Sequence, residues 1–380
     1  MQIGHILMNQ LADGSVGCLA CARKCTISNG ATGFCGVRRN SNGALALSSY
    51  GYVATAHVDT IEKKPVYHYR PGSKLLSLGT VGCSWSCDFC INHHISQSRK
   101  NIGKSRSPEN VVRLAKHYRC NGIAFTYNEP LVYLEFARDI GTLAHEEGLF
   151  NVVVTNGYGT PEAAETLSEF ADCIVIGLKG NASRDFLRKH SEVPDADPIF
   201  DTISQLKKKD RIHLEISDLV LPQESDSLEQ ARVLCDWIVR EMGPDTPIHF
   251  ISFHPSYKLE SATITSQAIM EKHCNVASEA GLHYSYIANF PGHERENTYC
   301  PKCHKAVITR LAYNINAWYL DEDNRCTGCG YKIAIEGRHV DTPYEERYEA
   351  VIFPPSDFQY FCEGLVPPSM EQSNVRFEPD

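Results

Sequence analysis

The sequence has no apolar run of membrane length. Its longest stretches, such as residues 151–155 and 173–178, fall far short of the ~18 residues a spanning helix requires. It has no basic run longer than Lys207, Lys208 and Lys209. With 37 basic against 46 acidic residues the net charge is −9, which argues against a broad nucleic-acid footprint. The opening, MQIGHILMNQLADG, lacks a basic n-region and interrupts its apolar residues with Asn, Gln and Asp, so no secretory signal is expected. These absences point to a cytoplasmic protein with no membrane partner. Low complexity and disorder are excluded by 42% hydrophobic and 22% charged residues, ordinary values for a globular chain.

Cysteine, by contrast, is abundant: 16 residues, 11 of them in three tight clusters. In a large chain of a reducing compartment, closely spaced cysteines indicate metal ligation rather than a disulfide framework. The other five, Cys120, Cys173, Cys235, Cys274 and Cys362, are scattered and read as small core hydrophobes.

The 380 residues suit one barrel-sized domain plus smaller modules. Residues 1–72 carry the first cluster and a Gly-rich, short-strand region at 44–62, an irregular module whose small core metal would hold. From residue 75 strands and helices alternate. Strands are expected at 75–81, 122–127, 150–155, 172–178, 212–221, 248–254 and 284–288. Helices are expected at 111–118, 131–147, 199–209, 224–242 and 266–280, with another after Thr160. Three carry a cap followed by proline, Ser107-Pro108, Thr160-Pro161 and Asp197-Pro198. Six or seven βα units with near-continuous apolar strands predict an α/β fold, a full or partial (β/α) barrel over residues 73–298. Functional residues would then lie at the C-terminal ends of the strands. Residues 299–336 form a compact four-cysteine module, and 337–380 a tail without periodicity.

The second cluster, Cys83-x3-Cys87-x2-Cys90, lies in the loop after the first barrel strand. Three thiolates on one loop can bind three irons of a [4Fe–4S] cubane and leave the fourth open to an exogenous ligand. The alternative is a zinc site completed by His93 or His94, or three ordinary core cysteines. The third cluster, Cys300-x2-Cys303-x22-Cys326-x2-Cys329, is two knuckles that close a tetrahedral site, so a structural zinc ribbon is expected, with iron–sulfur as the alternative. The first, Cys18-x2-Cys21-x3-Cys25-x9-Cys35, can close either a zinc site or an auxiliary [4Fe–4S] cluster; composition does not choose, and structural zinc is the expectation.

The C-x3-C-x2-C motif with Phe89 ahead of Cys90, on a (β/α) scaffold, resembles the radical S-adenosylmethionine (SAM) superfamily. That resemblance implies a partial (β/α) TIM-like barrel in which SAM chelates the open iron and is cleaved by one electron to a 5′-deoxyadenosyl radical. The runs CLACARKCTISNGATGFCGVRRN, DTIEKKPVYHYRPGS, FTYNEP, VVTNGY, FHPSYKL and PGHERENTYCPKC, dispersed over about residues 18–335, resemble the radical enzyme of the AmmeMemoRadiSam group, itself similar to pyruvate formate-lyase activating enzymes. Carried over by position, Phe89, Glu129, Thr155, Asn156, Lys179 and His254 would contact SAM, with Glu129 accepting from its ammonium. Glu129 also reads as a helix N-terminal acid, and Thr155-Asn156 as a turn signal. The chain departs from the pattern at Gly177, where activases place an acid, and at Ile91-Asn92-His93 and Ser252.

The resemblance implies a hydrogen-abstracting enzyme with an unidentified substrate, which the flanking modules suggest is a peptide or protein. It further implies an electron donor such as flavodoxin or ferredoxin, and Memo-like and AMMECR-like partners. The rival with the same chemistry is an activase of a glycyl-radical enzyme. The rival from another class is a zinc-stabilised binding module without catalysis.

Overall fold

The computed structural model describes residues 2–4, 7–343 and 347–351, the side chains of residues 2–4 excepted. Cys362 and most of the 337–380 tail lie outside the described residues. The described chain up to residue 350 packs as one compact unit. No helix among the described residues is long and apolar enough to cross a membrane.

The core is a nine-stranded sheet. Its first strand, β1 (Thr55–Thr60), pairs antiparallel with β2 (Lys74–Gly79). Six strands then follow in order, each parallel to the one before. They are β3 (Gly122–Phe125), β4 (Phe150–Thr155), β5 (Cys173–Lys179), β6 (His213–Val220), β7 (Ile248–Ser252) and β8 (Ser285–Ala288). β2 to β8 are thus the seven parallel strands of the upper expected count. The barrel is not closed: β8 forms one edge, and the other is taken by the short strand Glu349–Ala350, antiparallel to β1. The strands read as continuous apolar runs because helices cover one face and the chain's own side chains fill the other.

The helices α1 (Pro108–His117), α2 (Leu134–Glu146), α3 (Pro161–Phe170), α4 (Arg184–Ser191), α5 (Asp197–Lys207), α6 (Leu228–Glu241) and α7 (Gln267–Ala280) form the outer layer. Ser107 and Thr160 cap as expected, their hydroxyls accepting from Asn110 N at 3.3 Å and Ala163 N at 3.1 Å. Asp197 does not cap: Ala196 holds that position and Asp197 lies inside the first turn. α6 starts later than its periodicity suggested because Ser227, accepting from Gln230 N, is its cap.

β1 and the chain after it fill the lower lumen. Ile61, Val66 and Tyr69 pack there with Leu75, Ala124, Phe150, Val152, Cys173 and Val175. Cys120, Cys235 and Cys274 are likewise buried, as small core residues should be. Beyond β8, the strands Thr298–Tyr299, Ala306–Leu311 and Asn314–Trp318 form an antiparallel sheet. Its Val307 and Ile308, with Leu320 just beyond its last strand, share one apolar cluster with Tyr67, Tyr284 and Tyr286.

A polar knot ties this module to the sheet. Fully buried Glu215 accepts from Tyr67 N, His68 N, His213 Nε2 and His249 Nε2, the last at 2.6 Å. His213 also meets Glu336 at 2.9 Å. Burial alone would lower the His213 pKa, but the two carboxylates outweigh it and raise it from 6.5 to about 9. A raised imidazole pKa stabilises the fold fully below about pH 6.5, and that contribution is lost as pH climbs through about 9. Between these limits wild-type stability is expected to fall more steeply than that of His213→Asn, by about 3 kcal/mol at most. Urea midpoints at pH 6 and 9 check this, and equal pH slopes would refute it.

Candidate active site

Every residue expected to serve the cofactor lies at or beyond the C-terminal end of a parallel strand, the end where such folds gather chemistry. The chain leaves β2 through Thr80, whose N–H donates to Asn128 Oδ1 at 3.0 Å. Asn128 Nδ2 in turn donates to Gly82 O at 2.9 Å. That amide clamp fixes where the Cys83–Cys90 loop departs from the sheet. Across the mouth, α4 holds the far side of the loop. Ser86 N donates to Ser191 O and Asp88 N to His190 O, and the His190 ring bonds Asp88 at 2.9 Å.

The three thiols are half-buried on this one loop. Cys87 Sγ lies 3.3 Å from Ser191 Oγ, Cys90 Sγ 3.3 Å from Ser96 Oγ, and Trp85 N donates to Cys83 Sγ. Burial pushes the Cys87 thiol up to about 12 and raises the Cys83 thiol well above its ordinary value, the latter aided by the Glu129 charge. Thiolates in such a place need a compensating cation, which a bound metal provides. Hydroxyl and amide donors already face the sulfurs, so the donor set fits a metal cluster. His93 stacks on Tyr257 with ring centroids 4.4 Å apart, and His94 is exposed. Among the described residues, neither joins a compact group of metal-ligating atoms.

Glu129 is buried at the end of β3 and draws two neighbouring strands together. Its Oε1 accepts from Thr155 Oγ1 at 2.6 Å and from Leu131 N at 3.0 Å, and its Oε2 from Asn156 N at 2.8 Å. The acid caps the turn Pro130–Tyr133, as its reading as a helix N-terminal acid expects, and its second oxygen holds the Asn156 backbone. Burial outweighs these donors and raises its pKa to about 7. Asn156 Nδ2 reaches Ser84 Oγ at 3.1 Å, which links Glu129, Thr155 and Asn156 to the cysteine loop.

Lys179, at the end of β5, lies within electrostatic reach of Cys87, Cys90, Glu129 and Asp218, and burial lowers its pKa. Its Nζ is 3.4 Å from where a Cβ on Gly177 would stand. An acid at position 177 would meet this ammonium, so the departure at Gly177 leaves the space to lysine. His254 lies past the end of β7 and is exposed. Phe89 is buried against Phe186 and His190, with centroids 5.8 and 6.4 Å away. Any contact it makes with a nucleoside would run through its backbone.

Several residues of the site lay outside the sequence reading. Ser84, Asn128, His190 and Ser191 hold the loop, and their roles depend on partners distant in sequence. Asp59 and Lys64 form a buried pair at 2.9 Å inside the lumen, with Ser77 Oγ donating to Asp59 at 2.7 Å. Beside them Tyr127 adopts φ 69°, a left-handed conformation rare for a bulky residue, two positions before Glu129.

The remaining cysteine groups differ in spacing. Cys300, Cys303, Cys326 and Cys329 bring their sulfurs within 4.8 Å of one another, Cys300 to Cys329 at 3.5 Å and Cys303 to Cys326 at 3.7 Å. A tetrahedral ion with bonds of about 2.3 Å holds its sulfurs about 3.8 Å apart, so this quartet fits a single metal ion. Cys18, Cys21, Cys25 and Cys35 are gathered in one module but more widely spaced.

Residues 77–234 match the sequence profile of the Radical SAM superfamily. An uncharacterized protein of Methanocaldococcus jannaschii is 41% identical over 329 residues, 86% of this chain and 97% of that one. Among solved structures, a domain of a pyruvate-formate lyase-activating enzyme from Bacteroides vulgatus aligns with TM-score 0.39 and 18% identity, over 44% of this chain and 99% of that one. The FeFe-hydrogenase maturase HydG from Carboxydothermus hydrogenoformans aligns with TM-score 0.44 and 13% identity, over 56% and 52%. Membership of this family implies SAM and an iron–sulfur cluster, which the three-thiol loop fits: over residues 77–234 the chain carries a domain of the radical SAM superfamily.

Proposed function

We propose that the protein is a radical SAM enzyme in which Cys83, Cys87 and Cys90 hold a [4Fe–4S] cluster. Glu129, Thr155, Asn156, Lys179, His254 and the Phe89 backbone would hold SAM. The observation that carries this reading is the meeting of a three-thiol loop with the Glu129, Thr155 and Asn156 triad across one hydrogen bond, Asn156 to Ser84. Bound together, cluster and SAM supply a 5′-deoxyadenosyl radical that abstracts a hydrogen atom.

The chain's own residues bind, orient and shield. Glu129 presents a carboxylate to an ammonium, an interaction strengthened by burial. Lys179 offers a cation to a carboxylate, and its desolvation favours such pairing. The amide clamp of Asn128 and the α4 contacts keep the loop from shifting. Trp85 and Phe89, both buried, keep water from the base of the loop.

The closer grouping we propose is with the AmmeMemoRadiSam enzymes, with a peptide or protein as substrate. The N-terminal module borders the mouth, where Ala22 N donates to Tyr158 O at 3.0 Å and Arg23 to Ser84 O, and so offers a rim on which a macromolecule could rest. A flavodoxin or ferredoxin would supply electrons, Memo-like and AMMECR-like proteins would be partners, and the protein would act in the cytoplasm. The glycyl-radical activase reading shares this site and differs only in its partner. Zinc is proposed for Cys300, Cys303, Cys326 and Cys329, as a ribbon-like structural site.

The test is anaerobic. Protein reconstituted with iron and sulfide is expected to release 5′-deoxyadenosine from SAM when dithionite is added. Zinc alone, with no iron bound and no cleavage, would overturn the reading in favour of a binding module.

A further inference from the structure

The cysteines of the N-terminal module take no part in the proposed reaction, and their geometry distinguishes between the two metals their pattern allows. The strands Val16–Cys18 and Thr26–Ile27 pair antiparallel, and Cys18 N donates to Cys25 O at 2.9 Å. This hairpin brings Cys18, Cys21 and Cys25 to one end. Cys35 returns to them through Gly33, where a Cβ would lie 3.7 Å from that of Cys25. Cys18, Cys21 and Cys35 are buried, Cys25 is half-buried, and all four are free thiols. Cys21 lies within electrostatic reach of the other three.

Four cysteines so gathered would, for a single tetrahedral ion, bring their sulfurs to about 3.8 Å of one another. Cys300, Cys303, Cys326 and Cys329 do this. Among the described residues, no three sulfurs of the N-terminal quartet come within 4.8 Å of one another, and neither do those of Cys83, Cys87 and Cys90. A cubane spreads its thiolates over separate iron corners, farther apart than one ion can reach. Among the described residues the N-terminal quartet, like the cluster loop and unlike the ribbon, lacks the close sulfur spacing of a single-ion site.

We propose that Cys18, Cys21, Cys25 and Cys35 hold a second [4Fe–4S] cluster, closed by four thiolates, with no iron open to substrate. The site lies against the first. A Cβ at Gly82 would overlap the Cys35 carbonyl oxygen, and the Arg23 guanidinium donates to Ser84 O, so Cys35 and a residue between Cys21 and Cys25 approach the two neighbours of Cys83.

The test uses the full chain with Cys83→Ala, Cys87→Ala and Cys90→Ala together, reconstituted anaerobically with iron and sulfide. About four iron and four sulfide per chain are expected, with a brown charge-transfer band and an electron paramagnetic resonance signal on reduction. A colourless protein with about two zinc ions per chain, or with one, would overturn the proposal. Should the triple variant fail to fold, the wild type decides: about eight iron and one zinc support the proposal, about four iron and two zinc refute it. Cys18→Ala with Cys21→Ala should then halve the wild-type iron. Failure of the catalytic reading looks different: triple-variant iron equal to that of wild type leaves this site standing and removes the one at Cys83.

Discussion

Cys87→Ala is expected to abolish SAM cleavage while leaving the fold intact. The variant loses one of three thiolates on a loop that has no fourth, so the remaining two cannot hold a cubane in place. Replacing a group that only orients a metal ligand costs roughly 10–100-fold in affinity or activity, and removal of a ligand itself should exceed that range. The loop does not depend on the sulfur for its shape. Its backbone is pinned by Ser86 N to Ser191 O, by Asp88 N to His190 O and by Lys258 N to Asp88 O at 2.9 Å. The Cys87 sulfur contributes one contact, to Ser191 Oγ. Removing one half-buried atom should therefore cost about 1 kcal/mol of stability. Iron content, 5′-deoxyadenosine release and thermal midpoint, measured on the same preparation, separate the two effects. Cleavage within tenfold of wild type would show that Cys87 is no ligand. A collapsed midpoint would show that the sulfur holds the loop. Ser191→Ala is the milder companion: it keeps all three thiolates and removes one hydroxyl partner, so iron should stay bound while the cluster's reduction potential shifts.

The parts of this molecule legible in the sequence are those fixed by local chemistry. The parallel strands were visible because burial on both faces leaves uninterrupted apolar runs, and Ser107-Pro108 and Thr160-Pro161 because a cap acts within its own turn. The missed helix, Arg184–Ser191, buries Phe186, Leu187, His190 and Ser191, but only the first two are apolar, so its sequence carries almost no apolar stripe. It nevertheless supplies His190 and Ser191 to the cysteine loop. β1 was hidden within an irregular module. Only its pairing with β2 shows that Asp59 faces the lumen rather than solvent. Three thiols on one loop could be recognised from spacing alone. The bond from Thr155 to Glu129 could not, because it depends on β3 and β4 being neighbours, with Phe125 opposite Val153. The two kinds of four-cysteine site differ by sulfur spacing, a tertiary quantity that no count of intervening residues conveys.

Arg38→Met is expected to destabilise the protein by about 3–5 kcal/mol, the range for breaking a buried ion pair by removing one partner. Arg38 is 2% exposed, and its guanidinium meets both oxygens of Glu135, at 2.8 and 2.5 Å. It also donates to the carbonyls of Val132 at 3.1 Å and Leu131 at 3.3 Å, in the turn that Glu129 caps. One side chain thus fastens the cysteine-bearing N-terminal module to the start of α2, beside the candidate site. The methionine fills much of the volume but leaves Glu135 a buried carboxylate without its hydrogen-bonded cation. Burial alone would raise the Glu135 pKa, yet Arg38 outweighs it and holds the pKa below 4.5. A depressed acid stabilises the fold above its unfolded pKa and loses that contribution as pH falls through the folded one. In Arg38→Met burial prevails, Glu135 takes up a proton more readily, and the charged form is what the fold resists. The gap between wild type and variant should therefore be widest near pH 7, begin to narrow above about pH 4.5 as the variant's Glu135 takes up its proton, and narrow further below it as the wild type's does. Adding Glu135→Leu removes the stranded charge and should restore more than half of the loss, a coupling that a double-mutant cycle reads directly. A single-variant loss under about 1 kcal/mol, or a double variant no more stable than Arg38→Met, would show that the pair does not join the module to the barrel.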